Sequence, residues 1–326
     1  MYKLTMEDVL MLLSYNDRFL ILTHKKPDGD TLGSAVALCI ALRQRGKTAY
    51  IKNSGEITGR FYDMCSPYFE PEGFEPLFVV SVDIADVKLL PDNCAQYKDD
   101  IMLSVDHHPS NTQFAGHNYV VDSAAATGEI IYDVLEKLGT ELTKDIMTAI
   151  YVAVSTDTGC FRYSNTTKES HIIAAKAIEA GVDFPYLNKI LFDTKSMARM
   201  NLEKCLYQNT KYYFDKSAAV GILQRAVIDE CEATEDDMEN ISSYLRKIEG
   251  IECAATAIEQ KNGDLKFSLR SGETIDVSAV AQAMGGGGHK RAAGFVIKHG
   301  ENTEEKIAQL LEEIGKQMGE SRTMHV

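Results

Sequence analysis

The stretch RFLILTHKKPDGDTLGSAVALCIALRQRG, residues 18–46, decides the fold of the first half of the chain. It opens with a short apolar run of strand character, turns at PDGD (residues 27–30), and continues at helical spacing to Gly46. We expect Asp30 or Thr31 to cap that helix. A strand that leads directly into a helix starts a βαβ unit, so the stretch predicts a parallel sheet.

The same alternation continues beyond this stretch. Four more β-rich runs, TAYIK, LFVVSV, IMLSV and NYVV, follow before residue 122, and two helical stretches, TGEIIYDVLEKLG and KDIMTAIYVAVSTD, come after them. The pattern predicts an α/β fold whose N-terminal domain, residues 1–187, contains a doubly wound, mainly parallel sheet.

The second half of the chain has a different pattern. Residues 188–212 are helical and polar without a strand signal, which predicts a helical connector. Beyond it, strand-like runs, an Asn-Gly turn, a helix ending near Gly250 and a helix around VSAVAQAM predict a smaller C-terminal α/β domain over residues 213–326.

Charge and cysteine content restrict the function classes. The net charge of −14 argues against a broad grip on long nucleic acid, which needs many Lys and Arg side chains, but it leaves a short phosphorylated ligand open. The seven cysteines are scattered without a CxxC pair, as in a reducing compartment. No apolar stretch of membrane-spanning length and no leader pattern is present in the sequence, so we expect a cytoplasmic protein without a membrane partner.

Eight acidic or histidine residues each lie just past an apolar run, which we interpret as a strand or its equivalent. They are His24, Asp28, Asp30, Asp83, Asp106, His107, His108 and Asp157. In open parallel sheets, ligands bind at the carboxyl ends of the strands. Aspartate oxygens with imidazole nitrogens suit Mn²⁺, Mg²⁺ or Fe²⁺. The pattern therefore predicts a metal site.

Two divalent ions roughly 3.5–4 Å apart can activate water and clamp a phosphoryl centre, and phosphate-ester hydrolysis is the chemistry that most needs them. A bridging carboxylate is then required, and Asp83, alone at its strand end, is the natural candidate. The alternative is that PDGD is only a turn with a helix cap and that Asp106-His107-His108 is only a strand-end turn.

A second motif, GGGGHKRAAGF at residues 285–295, places four glycines before His289, Lys290 and Arg291. Backbone without Cβ atoms can approach an anion closely, so the run predicts a phosphate-binding nest, with a flexible turn before a strand as the alternative. The P-loop pattern GxxxxGK[ST] is absent. Arg270, in KFSLRSG, could offer a bidentate fork to phosphate or could be an ordinary surface arginine.

Taken in order, HKKPDGDTLGS, VSVDIAD, VDHHPSN, STDTGCF, SLRS and GGGGHKRAAG resemble the DHH-superfamily phosphoesterases that carry a DHH-associated C-terminal domain, in the bacterial oligoribonuclease and 3′-phosphoadenosine 5′-phosphate (pAp) phosphatase group. The resemblance covers nearly the whole chain. It implies hydrolysis of di- to pentanucleotides of RNA or DNA, of linear dinucleotides and of pAp, with the C-terminal domain binding the substrate.

The resemblance also implies roles for individual residues. His24, Asp28 and Asp83 would bind one ion, and Asp30, Asp83, His107 and Asp157 the other, with Mn²⁺ preferred. His108 would contact the scissile phosphate, while Asp106 orients the histidines. In the second domain, the residues that would hold the substrate are Arg270, Gly286, Gly287, Gly288, His289 and Arg291.

Other functions share part of this pattern. A manganese pyrophosphatase shares the N-terminal motifs but lacks the glycine-rich second domain. A processive single-strand DNA exonuclease and a membrane-tethered cyclic-dinucleotide phosphodiesterase would carry segments that are missing here. A non-catalytic nucleotide sensor should lack some ligands, whereas this sequence has all of them. The oligomeric state stays open, with a homodimer as one alternative.

Overall fold

The computed structural model describes residues 4–55, 57, 59–238 and 240–319. The chain forms two compact units with their boundary between Thr194 and Lys195, here called unit 1 and unit 2. This boundary falls inside residues 188–212, the segment with the connector pattern. Among the described residues, no helix combines the length and the apolar character that crossing a bilayer requires.

Unit 1 is built on a five-stranded parallel sheet in the order β2-β1-β3-β4-β5. Its strands are β1 (Phe19–Leu22), β2 (Ala49–Ile51), β3 (Phe78–Val82), β4 (Ile101–Asp106) and β5 (His117–Val120). Its helices are α1 (Met6–Tyr15), α2 (Gly29–Gln44), α3 (Gly59–Cys65), α4 (Thr127–Lys137), α5 (Lys144–Asp157), α6 (Lys168–Glu179) and α7 (Phe184–Asn188). All five predicted strands are confirmed.

Both faces of the central strands β1 and β3 are buried, as is usual for parallel strands. Phe19 and Ile21 of β1 face the core formed with α2, α4 and α5. Leu20 and Leu22 point the other way, into a smaller cluster with Leu90, which lies beside short 3₁₀ turns rather than long helices. The mainly parallel α/β sheet is thus confirmed.

Helix α2 begins earlier than its sequence suggested. The expected cap, Asp30 or Thr31, is wrong: Asp28 is the cap, and its Oδ1 accepts hydrogen bonds from the backbone N–H groups of Asp30 (3.0 Å) and Thr31 (3.2 Å). Asp30 therefore lies in the first turn of the helix and is buried.

The apolar run before Asp157 is helical, not a strand. Residues 144–157 form α5, in agreement with the helical stretch expected there, and Asp157 is its last residue. The run is apolar on nearly every side because α5 is buried among other helices. Asp157 therefore lies at the end of a helix and Asp28 and Asp30 at the start of one, whereas the other candidate ligands lie at or just after strands.

Unit 2 is built on a six-stranded mixed sheet in the order β10-β11-β9-β8-β7-β6, in which only β7 and β8 pair in parallel. Its strands are β6 (Lys211–Tyr213), β7 (Ala218–Leu223), β8 (Cys253–Glu259), β9 (Leu265–Ser271), β10 (Gly287–His289) and β11 (Ala292–Ile297). Its helices are α8 (Met197–Gln208), α9 (Arg225–Glu230), α10 (Glu235–Met238), α11 (Val277–Ala283) and α12 (Thr303–Gln317).

Two details of unit 2 differ from the expectations. The single helix ending near Gly250 is replaced by α9, α10 and two 3₁₀ turns, at 241–243 and 245–247. The glycine run does not stay a loop, because Gly287–His289 pairs with β11 as an antiparallel strand. The Asn-Gly turn between β8 and β9 is present, with Gly263 at φ +83°.

Helices α2 and α5, which carry the first and the last candidate ligands on helices, pack in close contact. A Cβ atom at Gly33 would lie 2.3 Å from the carbonyl oxygen of Ala149, and one at Gly29 would lie 2.4 Å from Oγ1 of Thr156. Gly29 thus allows the PDGD loop to reach the end of α5, next to Asp157.

Replacing Gly33 by Ala should lower the free energy of unfolding by about 1–3 kcal/mol, since the new methyl group meets backbone and forces the helices apart. Gly59→Ala is the matched control, because a Cβ there meets nothing within 4 Å. Urea denaturation of both variants measures the effect, and equal midpoints for the two would contradict this packing argument.

Candidate metal centre

The ligand candidates of unit 1 converge on one edge of the sheet. His24 follows β1, Asp83 follows β3, and Asp106 ends β4. Strands β1 and β3 are neighbours, while the chain between them passes through β2 at the outer edge. Such a reversal of strand order opens a crevice at the carboxyl ends, which is where open α/β sheets bind ligands.

A first group of ligand atoms surrounds His24. Its Nε2 lies 3.6 Å from Oδ1 of Asp28 and 3.7 Å from Oδ2 of Asp83. The ligand atoms of His24, Asp28 and Asp83 all lie within 4.8 Å of one another, which is close enough for one ion to contact all three residues.

A second group surrounds His107. Its Nε2 lies 3.6 Å from Oδ2 of Asp157, 3.7 Å from Oδ1 of Asp83 and 3.9 Å from Oδ2 of Asp30. Asp30, His107 and Asp157 again place ligand atoms within 4.8 Å of one another. Asp83 therefore turns one oxygen to each group, which is the geometry of a bridging carboxylate.

The N-terminus of α4 holds two of these carboxylates in place. Asp30 accepts hydrogen bonds from the backbone N–H groups of Thr127 (2.7 Å) and Gly128 (2.8 Å), where the helix dipole favours negative charge. The Thr127 hydroxyl donates to Oδ1 of Asp83 at 2.9 Å. Asp83 itself has a left-handed backbone, φ +59°, a conformation that is sparsely populated and concentrates at functional sites.

Burial and mutual repulsion raise the pKa values of the crowded carboxyl groups. Burial first, then the charges of Asp83 and Asp157, raise the pKa of Asp30 well above its usual value. Burial and the charge of Asp28 raise the pKa of Asp83 to about 6. Burial likewise raises the pKa of Asp157, which also sits at the negative end of α5. Bound cations would relieve this repulsion, so the donor set and its charge fit divalent metal ions.

The two histidines have different partners. His107 Nδ1 lies 3.2 Å from the carbonyl oxygen of Ala124, which can only accept, so Nδ1 carries the proton and Nε2 presents its lone pair to the second group. His108 Nδ1 lies 2.8 Å from Oδ1 of Asp106. The resemblance implied that Asp106 orients both histidines, but Ala124 contacts the His107 ring and Asp106 the His108 ring.

Asp106 is fully buried, and both of its oxygens are already hydrogen-bonded. Oδ1 accepts from the backbone N–H of His107 (2.8 Å) as well as from His108, and Oδ2 accepts from Nδ2 of Asn111 (2.7 Å). This leaves Nε2 as the outward end of the half-exposed His108 ring.

In unit 2, two candidate residues share one row of the sheet. Arg270 on β9 pairs with Ala292 on β11, and Ala292 pairs with His289 on β10. Residues in register on adjacent strands point to the same face, so Arg270 and His289 flank the small side chain of Ala292. Arg270 is half-buried, and burial lowers its pKa. No carboxylate pairs with it in the described part of the chain.

The glycines and Arg291 are positioned by the sheet itself. A Cβ at Gly286 would lie 2.1 Å from the carbonyl oxygen of Gly294, and one at Gly288, with φ +147°, would lie 2.5 Å from Cα of Ala293. Close strand pairing accounts for these two, whereas Gly287 is open. Arg291 donates through Nη1 to the carbonyl oxygen of Gly272.

Comparison with known proteins agrees with the division of the chain into unit 1 and unit 2. The DHH family N-terminal domain matches residues 18–154, and the DHHA1 domain matches residues 219–320. The bifunctional oligoribonuclease and PAP phosphatase NrnA of Thermus thermophilus is 30% identical over 302 residues, which cover 91% of this chain and 89% of that protein. The chain belongs to the DHH family. A probable NrnA of Streptococcus mutans is 26% identical, covering 93% of this chain and 98% of that protein.

Solved structures show the same fold for this DHH protein. An exopolyphosphatase-related protein from Bacteroides fragilis aligns with a TM-score of 0.85 at 20% identity, covering 96% of each chain. The exonuclease RecJ bound to manganese aligns with a TM-score of 0.52 at 12% identity, covering 97% of this chain and 95% of that one.

Sequence reasoning missed the residues that hold the ligands in place. Thr127 and Gly128 lie 97 and 98 positions from Asp30, and nothing local marks their N–H groups as its partners. Asn111 is the last residue of VDHHPSN, and its type and position alone predict no role for it. The signal that could have found Thr127 is a small polar residue at the start of a helix, where N–H groups are free to bind a carboxylate.

The hydrogen bond that His108 donates to Asp106 raises the pKa of His108 to about 9. In the metal-free protein, this pair should stabilise the fold fully at pH values below about 6.5 at which Asp106 is still ionised, and the contribution should fade as pH rises through about 9. Asp106→Asn should lower the pKa of His108 markedly. NMR titration of the histidine rings measures both values, and a wild-type His108 that titrates near pH 6.5 would refute the expectation.

Proposed function

We propose that this protein is a metal-dependent phosphoesterase that hydrolyses short oligonucleotides, including linear dinucleotides, to mononucleotides and removes a phosphate from pAp. The observation that carries the proposal is Asp83, whose two carboxylate oxygens each face a separate group of ligand atoms. The names of the curated relatives, which cover about nine-tenths of the chain, support the substrates.

Two ions are assigned to these groups. His24, Asp28 and Asp83 would hold one, and Asp30, Asp83, His107 and Asp157 the other, with Mn²⁺ as the first choice and Mg²⁺ or Fe²⁺ as alternatives. When bound, such ions supply an activated water and neutralise charge on the phosphoryl oxygens.

The chain's own residues contribute orientation and charge. Asp106 fixes the His108 ring through Nδ1, so that Nε2 points outward and can donate a hydrogen bond to an oxygen of the scissile phosphate. Thr127 holds Asp83 in its bridging orientation, and the N-terminus of α4 holds Asp30. These contacts fix the ligands before substrate arrives.

Unit 2 is proposed to bind the substrate. Arg270 and His289, on one row of the sheet without an acidic partner between them, provide donors for a phosphate, and Arg291 and the open Gly287 extend the surface. Gly286 and Gly288 support it by letting β10 and β11 pair closely. Binding of only a few phosphates needs few basic side chains, which agrees with the net charge of −14.

The alternatives have less support. A manganese pyrophosphatase is not favoured, because the DHHA1 domain matches residues 219–320 and the relatives carry oligoribonuclease names. A non-catalytic sensor is not favoured either, because every expected ligand is brought to the site. The cytoplasmic location and a homodimer stay predictions.

Asp83→Ala and Asp157→Ala should each reduce hydrolysis of pAp and dinucleotides by at least about 100-fold, above the range for residues that only support a ligand. Each removes a carboxylate from the groups, and the fold should persist. Asp99→Ala is the control, since its side chain is 87% exposed and lies outside every group. Turnover with Mn²⁺ and mass spectrometry of bound metal measure the effect; wild-type turnover in either ligand variant would refute the assignment.

Arg270→Ala and His289→Ala should mainly raise KM for dinucleotides, by roughly 10-fold or more for loss of a charged hydrogen bond, and should change kcat less. Lys266→Ala, on the same strand but with an exposed side chain, should leave KM unchanged. Unaltered steady-state kinetics in both Arg270 and His289 variants would show that unit 2 does not bind the substrate here.

The substrate range can be determined by incubating the purified protein with Mn²⁺ and pAp, pyrophosphate, linear and cyclic dinucleotides, and longer RNA and DNA. Comparable hydrolysis of pAp and linear dinucleotides, with little action on pyrophosphate, is the expected result. Preferential hydrolysis of pyrophosphate would overturn the proposal.

A further inference from the structure

The turn after Asp157 has an unusual backbone. Gly159, Cys160 and Phe161 have φ angles of +56°, +58° and +61°, so three consecutive residues are left-handed and two of them carry side chains. Single left-handed residues are common, but runs are not, because each Cβ crowds the following carbonyl oxygen. Such strain persists only where the surroundings enforce it, and it concentrates at ligand-binding segments.

Several hydrogen bonds enforce the turn. Cys160 N–H donates to the carbonyl oxygen of Ser155 (2.7 Å), and the N–H groups of Arg162 (2.9 Å) and Tyr163 (3.0 Å) both donate to the carbonyl oxygen of Thr158. The segment is therefore closed onto the end of α5 rather than free to swing.

Asn165 ties the far end of the turn back to the metal centre. Its Nδ2 lies 3.2 Å from the carbonyl oxygen of Asp157 and 3.0 Å from that of Ala125, the residue after the one that contacts His107. Tyr163 is two residues from Asn165, so its Cα lies within about 7 Å of the Asn165 Cα. The turn thus keeps Tyr163 beside a ligand of the second group.

The Tyr163 ring is fixed yet open on one side. A Cβ at Gly159 would lie 2.3 Å from Cζ of that ring, so the ring packs against the bare glycine backbone. The residue is nevertheless 60% exposed. Arg162 donates through Nε to the carbonyl oxygen of Gly159 (2.6 Å) and makes no ion pair among the described residues, so a cation lies next to the exposed ring.

An exposed aromatic ring that packs on backbone, beside a guanidinium without an ion pair among the described residues, is an arrangement on which nucleobases stack, and stacking tolerates any base. We propose that Tyr163 is the platform for the base of the nucleotide whose phosphate lies at the metal centre, with Arg162 supplying positive charge beside it. This inference rests on the proposed function and adds a base-recognition site within unit 1. It favours nucleotides over inorganic phosphates as substrates.

Calorimetric titration of the full chain with AMP and, separately, with ribose 5-phosphate tests the platform without requiring turnover. Tyr163→Ala should weaken AMP binding on the order of ten-fold more than ribose 5-phosphate binding, because only AMP has a base to stack. Tyr163→Phe should bind AMP like wild type, and Tyr163→Leu, which keeps apolar volume, should resemble the Ala variant.

Tyr15→Ala is the matched control, since Tyr15 is 85% exposed but lies at the end of α1, close in sequence to the opposite end of β1. Thermal midpoints close to wild type show that the variants are folded. Equal losses for AMP and ribose 5-phosphate, or no loss for AMP, would overturn the platform. A wild-type protein that binds AMP through Tyr163 but hydrolyses no nucleotide would instead refute the proposed function.

Discussion

Repulsion among four carboxylates in one small volume is the constraint on which the rest of unit 1 depends. Asp30, Asp83 and Asp157 lie together beside Asp28. Burial and the charge of neighbouring carboxylates raise the pKa values of these three carboxyl groups. The close packing of α2 on α5 at Gly29 and Gly33 brings the acidic ends of these helices together. The N-terminus of α4 compensates in part, because it provides two N–H groups to Asp30. The remaining charge is what divalent cations would neutralise.

The sequence predicted which residues of unit 1 lie close together because strand ends are marked locally. Short apolar runs fix β1, β3 and β4, and the carboxyl edge of a parallel sheet brings their following residues together whatever the loops do. Asp157 lies beside the other candidate ligands, as predicted, but at the end of a helix and not at the end of a strand. An apolar run alone does not distinguish a buried strand from a buried helix, and α5 is apolar almost all round.

What the sequence could not predict depends on distant partners. Asp28 caps α2 in place of the expected Asp30 or Thr31. Asp30 instead accepts hydrogen bonds from N–H groups about a hundred residues away. The glycine run was expected to serve a ligand, yet Gly286 and Gly288 are already required by the pairing of β10 with β11. A run of glycines indicates that something approaches the backbone closely, but it does not distinguish a ligand from a neighbouring strand. Only the fold separates these two causes.

Asp83 is proposed to bridge two metal ions, and a crystal structure of the Mn²⁺-loaded protein would show whether it does. Anomalous scattering should show two peaks roughly 3.5–4 Å apart, one on each side of the Asp83 carboxylate, as in two-metal hydrolases. One peak should lie near His24 and Asp28, and the other near Asp30, His107 and Asp157. A single peak, or two peaks that do not share Asp83, would show that Asp83 does not bridge two ions.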